Sequence, residues 1–208
     1  MKKPYHHGDL RQSLLDTGLQ LLREGGIEAV SLRAVARKAG VSHTAPYHHF
    51  SDKADLVEAL AIESFRRFTL ALQTTWETNR QDPLTGLAAL GSTYVNFALA
   101  HPEEFRLMHL PGLRQVKKQG GHSRVSAAAT QAYAVLCDAV SDCQTKGLIA
   151  PGDPNPYALT AWSSVHGLAV LILDGLLLGE KQSASNHDYL INAIINTLST
   201  GLKPRAGA

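Results

Sequence analysis

The stretch 31–53, SLRAVARKAGVSHTAPYHHFSDK, limits what this chain can fold into more than any other part of it. It holds two short helical patterns joined at Gly40. Ser31 is a good N-cap for the earlier one, whose buried stripe is expected at Leu32, Val35, Ala36 and Ala39. Gly40 turns the chain sharply without a Cβ penalty. Ser42 is expected to cap the later pattern, which carries Pro46. Proline is tolerated only in the first turn of a helix, so that helix must start at about Ser42 to Thr44. Its run HTAPYHHF has a weak apolar face, which suits contact with something outside the protein better than packing.

That something is read as DNA. From Arg33 to Lys53 four basic residues (Arg33, Arg37, Lys38, Lys53) stand against one acid, Asp52, with His43, His48 and His49 in the same window. The net charge of the whole chain, +2, is too small to point to a nucleic-acid partner, so the basic character is local. Hydroxyl and imidazole groups can hydrogen-bond base edges and phosphates, and methyl groups can meet thymine. The plainer alternative is a pair of surface helices in an ordinary bundle, because short helix pairs with a glycine turn are common.

The remainder is helical throughout, with no strand-like alternation and no internal repeat. The fold class is all-α, with about nine helices. A first amphipathic helix spans 9–24, with Leu10, Leu14, Gly18, Leu21 and Leu22 on one face, and stops at Gly25-Gly26. Ser51 is expected to cap a fourth helix carrying Leu56, Leu60, Phe65, Phe68 and Leu72 to about Trp76. The domain boundary is placed near Asp55, giving 1–55 and 56–208. Pro83 opens a fifth helix with Leu84, Leu87, Gly91, Tyr94, Val95 and Ala98 on one side. Pro102, Glu103 and Glu104 begin a short sixth, ending at Pro111-Gly112. Residues 112–122 are expected to form a mobile loop. Helix seven follows from about Ser123 to Lys146, with Val125, Ala129, Ala132, Leu136 and Cys143 inward. An apolar helix eight is expected over 157–178 and a ninth over about 186–202.

Several function classes fall away. Helix eight is long enough to tempt a membrane assignment, but it carries Ser163, Ser164, His166 and Asp174 and has no flanking basic cluster. The N-terminus lacks the apolar segment of a signal peptide, so the cytoplasm is the expected location. Cys137 and Cys143 form no CxxC pair and are expected to be buried free thiols. The ten histidines show no metal-ligand spacing. No nucleophile elbow or phosphate loop occurs, so neither a cofactor, a metal nor an enzyme activity is expected.

The run SLRAVARKAGVSHTAPYHHFSDKADLV resembles the DNA-binding domain of TetR-family transcriptional regulators. The matching elements are Leu32-x-x-Val35-Ala36, Ala39-Gly40-Val41-Ser42, Tyr47-x-His49-Phe50 and Lys53-x-x-Leu56, within a match from about Leu10 to Leu60. Trp162-Ser-Ser-Val-His166-Gly167 is similar to the Trp-His-Gly signature of one C-terminal subgroup, and PYHHGDLR (4–11) to that subgroup's start. Ala45-Pro46 departs from the Gly and β-branched or Leu residues common in the family. The resemblance implies a homodimer reading a palindromic operator, usually as a repressor, and released by a small molecule. It implies DNA contacts at Ser42, Thr44, Tyr47, His48 and Lys53, with Tyr47 and Lys53 on phosphates. His43, Thr44 and Ala45 would face bases, and Arg33 would reach a further phosphate.

Two further sites are expected. Tyr94, Phe97, Phe105, Met108, Tyr133, Trp162 and His166 offer an apolar effector pocket with one polar group, or else fill a core. Small residues Ser163, Gly167 and Gly175, with Leu171 and the stripe Ile191, Ile194, Ile195 and Leu198, suit an isologous dimer interface. The alternatives are a constitutive or architectural DNA-binding protein without an effector, and a small-molecule enzyme.

Overall fold

A computed structural model describes residues 7–113, 123–177 and 184–201. Among them are eight α-helices, one short 3-10 helix and no strand. The helices are α1 (His7–Ala29), α2 (Leu32–Ala39), α3 (Lys53–Asn79), α4 (Pro83–Ala100), α5 (Pro102–Met108), α6 (Arg124–Thr145), α7 (Pro154–Leu173) and α8 (Ala184–Gly201). The 3-10 helix, Ala45–His48, lies between α2 and α3. Most of the loop expected at 112–122 lies outside the described residues, as do residues 4–6 of the PYHHGDLR start. Contacts divide the chain into two compact units, Met1–Arg66 with His101–Ala128 and Arg67–Ala100 with Ala129–Ala208. Helices α3 and α6 each run through both.

In the first unit α1 packs on α2 and α5, and α2 on the 3-10 helix. The α1 row that is fully buried is Leu14, Leu15, Leu19 and Leu22; Leu10 and Leu21, expected in it, are half-buried at its edge. Each leucine withdrawn from water contributes roughly 1.5–3 kcal/mol. The backbone breaks at Gly25-Gly26 as expected, with Gly26 at φ 66, and a short helical turn follows. Glu104, read from sequence only as an acid favouring a helix start, is 1% exposed. Arg23 Nη1 and His101 Nδ1 each lie 3.7 Å from its Oε1.

In the second unit α4 packs on α7 and α8, and α7 on α8. The row that α4 buries is Gly86, Leu90, Tyr94, Val95 and Ala98. Leu84 and Leu87 are only partly buried, against Val140, Cys143, Ile149 and Ala158. A Cβ on Gly86 would meet the Trp76 ring at 2.8 Å, so the helix-hairpin contact requires a residue without a side chain. Along α6 the buried row is Val125, Ala132, Val135, Ala139, Val140 and Cys143, with Leu136 at its margin.

Helix α7 differs from the expected 157–178 at both ends. Asp153 caps it, accepting from the Asn155 amide at 2.9 Å, and Pro154 occupies its first turn. It ends at Leu173 because Gly175 adopts φ 66 and the Leu176 amide donates back to the Leu171 carbonyl at 2.9 Å. That is a left-handed helix stop, which glycine adopts without strain. The apolar composition of Leu176 and Leu177 continues past the point where the backbone does not. Among the described residues α7 is the one helix long and apolar enough to cross a membrane by length and composition. Of its most apolar window 28% is buried.

Candidate nucleic-acid interface

The first unit builds this site outward from a buried floor. Ser31 Oγ accepts from the Ala34 amide at 3.1 Å, as expected of the N-cap of α2. Leu32, Val35 and Ala36 face inward, which leaves Arg33, Arg37 and Lys38 on the outer side. Gly40 sits at φ 69, with its amide directed at the Ala36 and Arg37 carbonyls, and Val41 N–H donates to Ala36 O at 3.0 Å. Any side chain at Gly40 would pay for this left-handed turn.

The segment that follows is not the α-helix expected from Ser42. Ala45 N–H donates to Ser42 O and Tyr47 N–H to Thr44 O, both at 3.1 Å, which is the tighter i→i−3 pattern. Thr44 holds the N-cap position without a side-chain bond, and Ser42 Oγ lies 3.1 Å from Thr44 Oγ1 instead. Pro46 accounts for part of this, because it has no amide to give to an α-helical ladder. The remainder comes from packing: Pro46 is buried, and its carbonyl accepts from both His49 and Phe50.

Pro46 and Phe50 therefore form the anchor of the segment, a role sequence reading did not assign to either. Phe50 is 1% exposed, and the Arg11 guanidinium lies 5.5 Å from its ring centroid. With those two residues turned inward, Ser42, His43, Thr44, Tyr47 and His48 are exposed and Ala45 is half-buried. Tyr47, at 52% exposure, is a large ring left in solvent.

Asp52, not Ser51, caps α3. Its Oδ1 accepts from the Asp55 amide at 2.8 Å, while Asp55 Oδ2 accepts from the Ser51 amide at 3.0 Å. The arrangement is related to a capping box, with the Asp55 carboxylate reaching back one residue beyond the N-cap to the Ser51 amide. Lys53 stands on the first turn, and its Nζ lies 4.0 Å from Glu28, whose side chain is 91% exposed. Lys38 Nζ meets Glu24 at 2.6 Å, and that contact holds the Glu24 carboxyl below its ordinary range. Surface pairs of this kind contribute little to stability.

The residues expected to line an effector site fall into two groups. Tyr94, Tyr133, Trp162 and His166 come together within the second unit. Tyr94 Oη lies 2.8 Å from His166 Nδ1 and accepts from Trp162 Nε1 at 3.2 Å. The Tyr133 and Trp162 rings are 5.7 Å apart, and Tyr133 Oη donates to Asn155 Oδ1 at 2.9 Å. Phe97 joins through Phe68, which sequence reading left out: its ring lies 5.0 Å from Phe97 and 5.2 Å from Tyr94. Phe105 and Met108 belong to the first unit, both buried, with Phe105 against His109.

Among the residues expected at a dimer interface, Ile191 and Ile195 are buried within the chain itself, Ile195 against Gly91 of α4, where an added Cβ would meet its side chain at 3.2 Å. Ser163 and Leu171 are exposed, Gly167, Ile194 and Leu198 half-buried, and Gly175 lies beyond the end of α7. Cys143 is buried, which pushes its thiol up to about 11, and Cys137 is half-buried; both are free. No group of three metal-ligating side chains occurs among the described residues.

A head of two helices, with a glycine turn leading from the second into a short exposed third segment, is the form of a helix-turn-helix DNA-binding regulator. Residues 14–60 match the profile of bacterial regulatory proteins of the tetR family, and residues 87–198 match the tetracyclin repressor-like C-terminal domain. The chain belongs to the TetR family of transcriptional regulators.

Its structure is similar to that of a protein of unknown function from Rhodococcus sp. RHA1, with a TM-score of 0.83 and 37% identity over 98% of this chain and 100% of that one. The class D tetracycline repressor protein of Escherichia coli is 39% identical over 57 residues, 27% of this chain and 26% of that one. The transcriptional regulator AcrR of Shigella flexneri is 44% identical over 48 residues, 23% and 22% of the two. These two matches span about a quarter of each relative's length.

Proposed function

We propose that the chain is a ligand-responsive repressor that binds a palindromic operator as a cytoplasmic homodimer and leaves it when a small molecule binds. The observation that carries the DNA-binding part is the exposed row Ser42, His43, Thr44, Tyr47 and His48, held up by buried Pro46 and Phe50. Hydrogen-bonding side chains raised on a rigid floor, with Arg33 and Lys53 at its margins, suit base edges at the centre and phosphates at the sides.

Two such heads reading one side of a duplex need half-sites about one helical turn apart, or a multiple of that. The partly open apolar faces of α7 and α8 support a paired chain, because an apolar helix face in water calls for cover. The Trp162–Tyr94–His166 group, with Tyr133, supports a small-molecule site of mostly aromatic lining. A second reading, a constitutive regulator without an effector, draws on the same group: its polar atoms bond one another and already satisfy a core.

The test is the salt dependence of binding to a short duplex that the wild-type chain enriches from a random pool. Lys53→Ala is expected to weaken binding to all duplexes and to lower the slope of log affinity against log salt by about one. An unchanged slope would remove Lys53 from the phosphate contacts.

A further inference from the structure

Arg124 opens α6, and its guanidinium turns to the first two turns of α3. Nη2 lies 2.6 Å from Glu58 Oε2 and 3.0 Å from Asp55 Oδ1, and Nε donates to Glu58 Oε1 at 3.2 Å. All three residues belong to the first unit. The two carboxylates raise the basicity of Arg124, that of Glu58 most. Arg124 itself is 58% exposed, so burial does not explain where it points; the two-point grip on Glu58 does.

Asp55 makes this contact more than a surface ion pair. The same carboxylate receives the Ser51 amide on Oδ2 and the Arg124 guanidinium on Oδ1. Ser51 and Asp52 are the link between Phe50, the floor of the exposed segment, and Lys53. One side chain thereby ties the connection behind the DNA-facing residues to α6. The α6 end is fixed in turn: buried Ser123 donates through Oγ to the Leu113 carbonyl at 3.1 Å and accepts from the Ser126 amide at 3.4 Å.

We infer that Arg124 is a positioning residue for DNA binding: without touching DNA, it fixes the Ser51–Asp55 link and so the placement of Tyr47 and Lys53. The inference rests on the reading that this head binds DNA. A group that touches phosphate contributes to the salt slope. When the link loosens, Lys53 on its flexible stem keeps a phosphate within reach, so losing a group that only places others lowers affinity and leaves the slope as it was.

The experiment uses the full chain and a duplex enriched by the wild-type protein from a random pool, titrated across a range of salt. Exposed ion pairs contribute little singly, so Arg124→Ala is expected to lower affinity by about three- to tenfold with an unchanged slope. Glu58→Gln, which weakens the two-point grip on the guanidinium, should lower affinity likewise. Arg124→Lys, which keeps a cation facing Asp55 and Glu58, should recover part of the loss seen in Arg124→Ala. Thermal melting of each variant separates this effect from unfolding. A slope lowered by about one in Arg124→Ala, or affinity equal to wild type, overturns the inference. So does an Arg124→Lys variant, folded by its melt, that binds no better than Arg124→Ala. A wild-type chain that enriches no duplex overturns the DNA-binding reading, and this inference with it.

Discussion

Tyr47 and Phe50 are three positions apart and have opposite duties. Phe50 is buried to 1% beneath the Arg11 guanidinium, whereas Tyr47 keeps half its surface in water. Removing a buried phenyl ring leaves a cavity, so Phe50→Ala is expected to cost about 3–5 kcal/mol of stability, seen in denaturant melts. Tyr47→Ala should stay within about 0.5 kcal/mol of wild type in the same melts. It should nonetheless weaken DNA binding, because the ring and its hydroxyl serve a partner and not the core. Equal destabilisation by both substitutions would mean that Tyr47 packs within the protein. The sequence identified Tyr47 by its neighbours in a motif. It could not rank Phe50 above His49, because no periodicity survives in a segment only one turn long.

At the scale of elements, the start of α3 is where residue type and structure diverge. Ser51 and Asp52 are both good N-cap residues, and sequence alone does not decide between them. The structure gives the cap to Asp52, with Asp55 answering to the Ser51 amide. Asp52→Ala is therefore expected to cost about 1 kcal/mol, and Ser51→Ala, which keeps its backbone amide, only a small fraction of that. The reverse order in thermal melts would return the cap to Ser51. Helix α2 and its glycine turn were legible because Ser31, the apolar spacing and Gly40 all agree. The 3-10 geometry of Ala45–His48 was not, since Pro46 permits an α-helical first turn and its burial, which helps favour the tighter one, shows in no spacing. The end of α7 was hidden for a related reason. Leu176 and Leu177 extend the apolar run, while the left-handed turn at Gly175 ends the helix.

For the whole molecule, apolar character shows which residues are buried but not in which of two cores. By residue type Phe105 and Met108 suit an effector site as well as Tyr94 or Trp162 do, yet they complete the first unit, where α5 packs on α1. Ile191 and Ile195 likewise serve the chain's own core, which shifts the proposed dimer face to the open side of α7 and α8. Leu171 on α7, at 41% exposure, and Tyr189 on α8, at 69%, are large apolar groups left in water. Leu171→Arg is expected to convert a dimer to a monomer in sedimentation at micromolar concentration. A wild-type chain that is already a monomer there would contradict the paired arrangement. The central claim, that residues 42–53 of two chains read two half-sites, is tested most directly by a hydroxyl-radical footprint on the enriched duplex. Two protected patches are expected on one face of the DNA, about one helical turn or a multiple of it apart, both lost in Tyr47→Ala. A single unbroken patch, or protection that survives Tyr47→Ala unchanged, would contradict it.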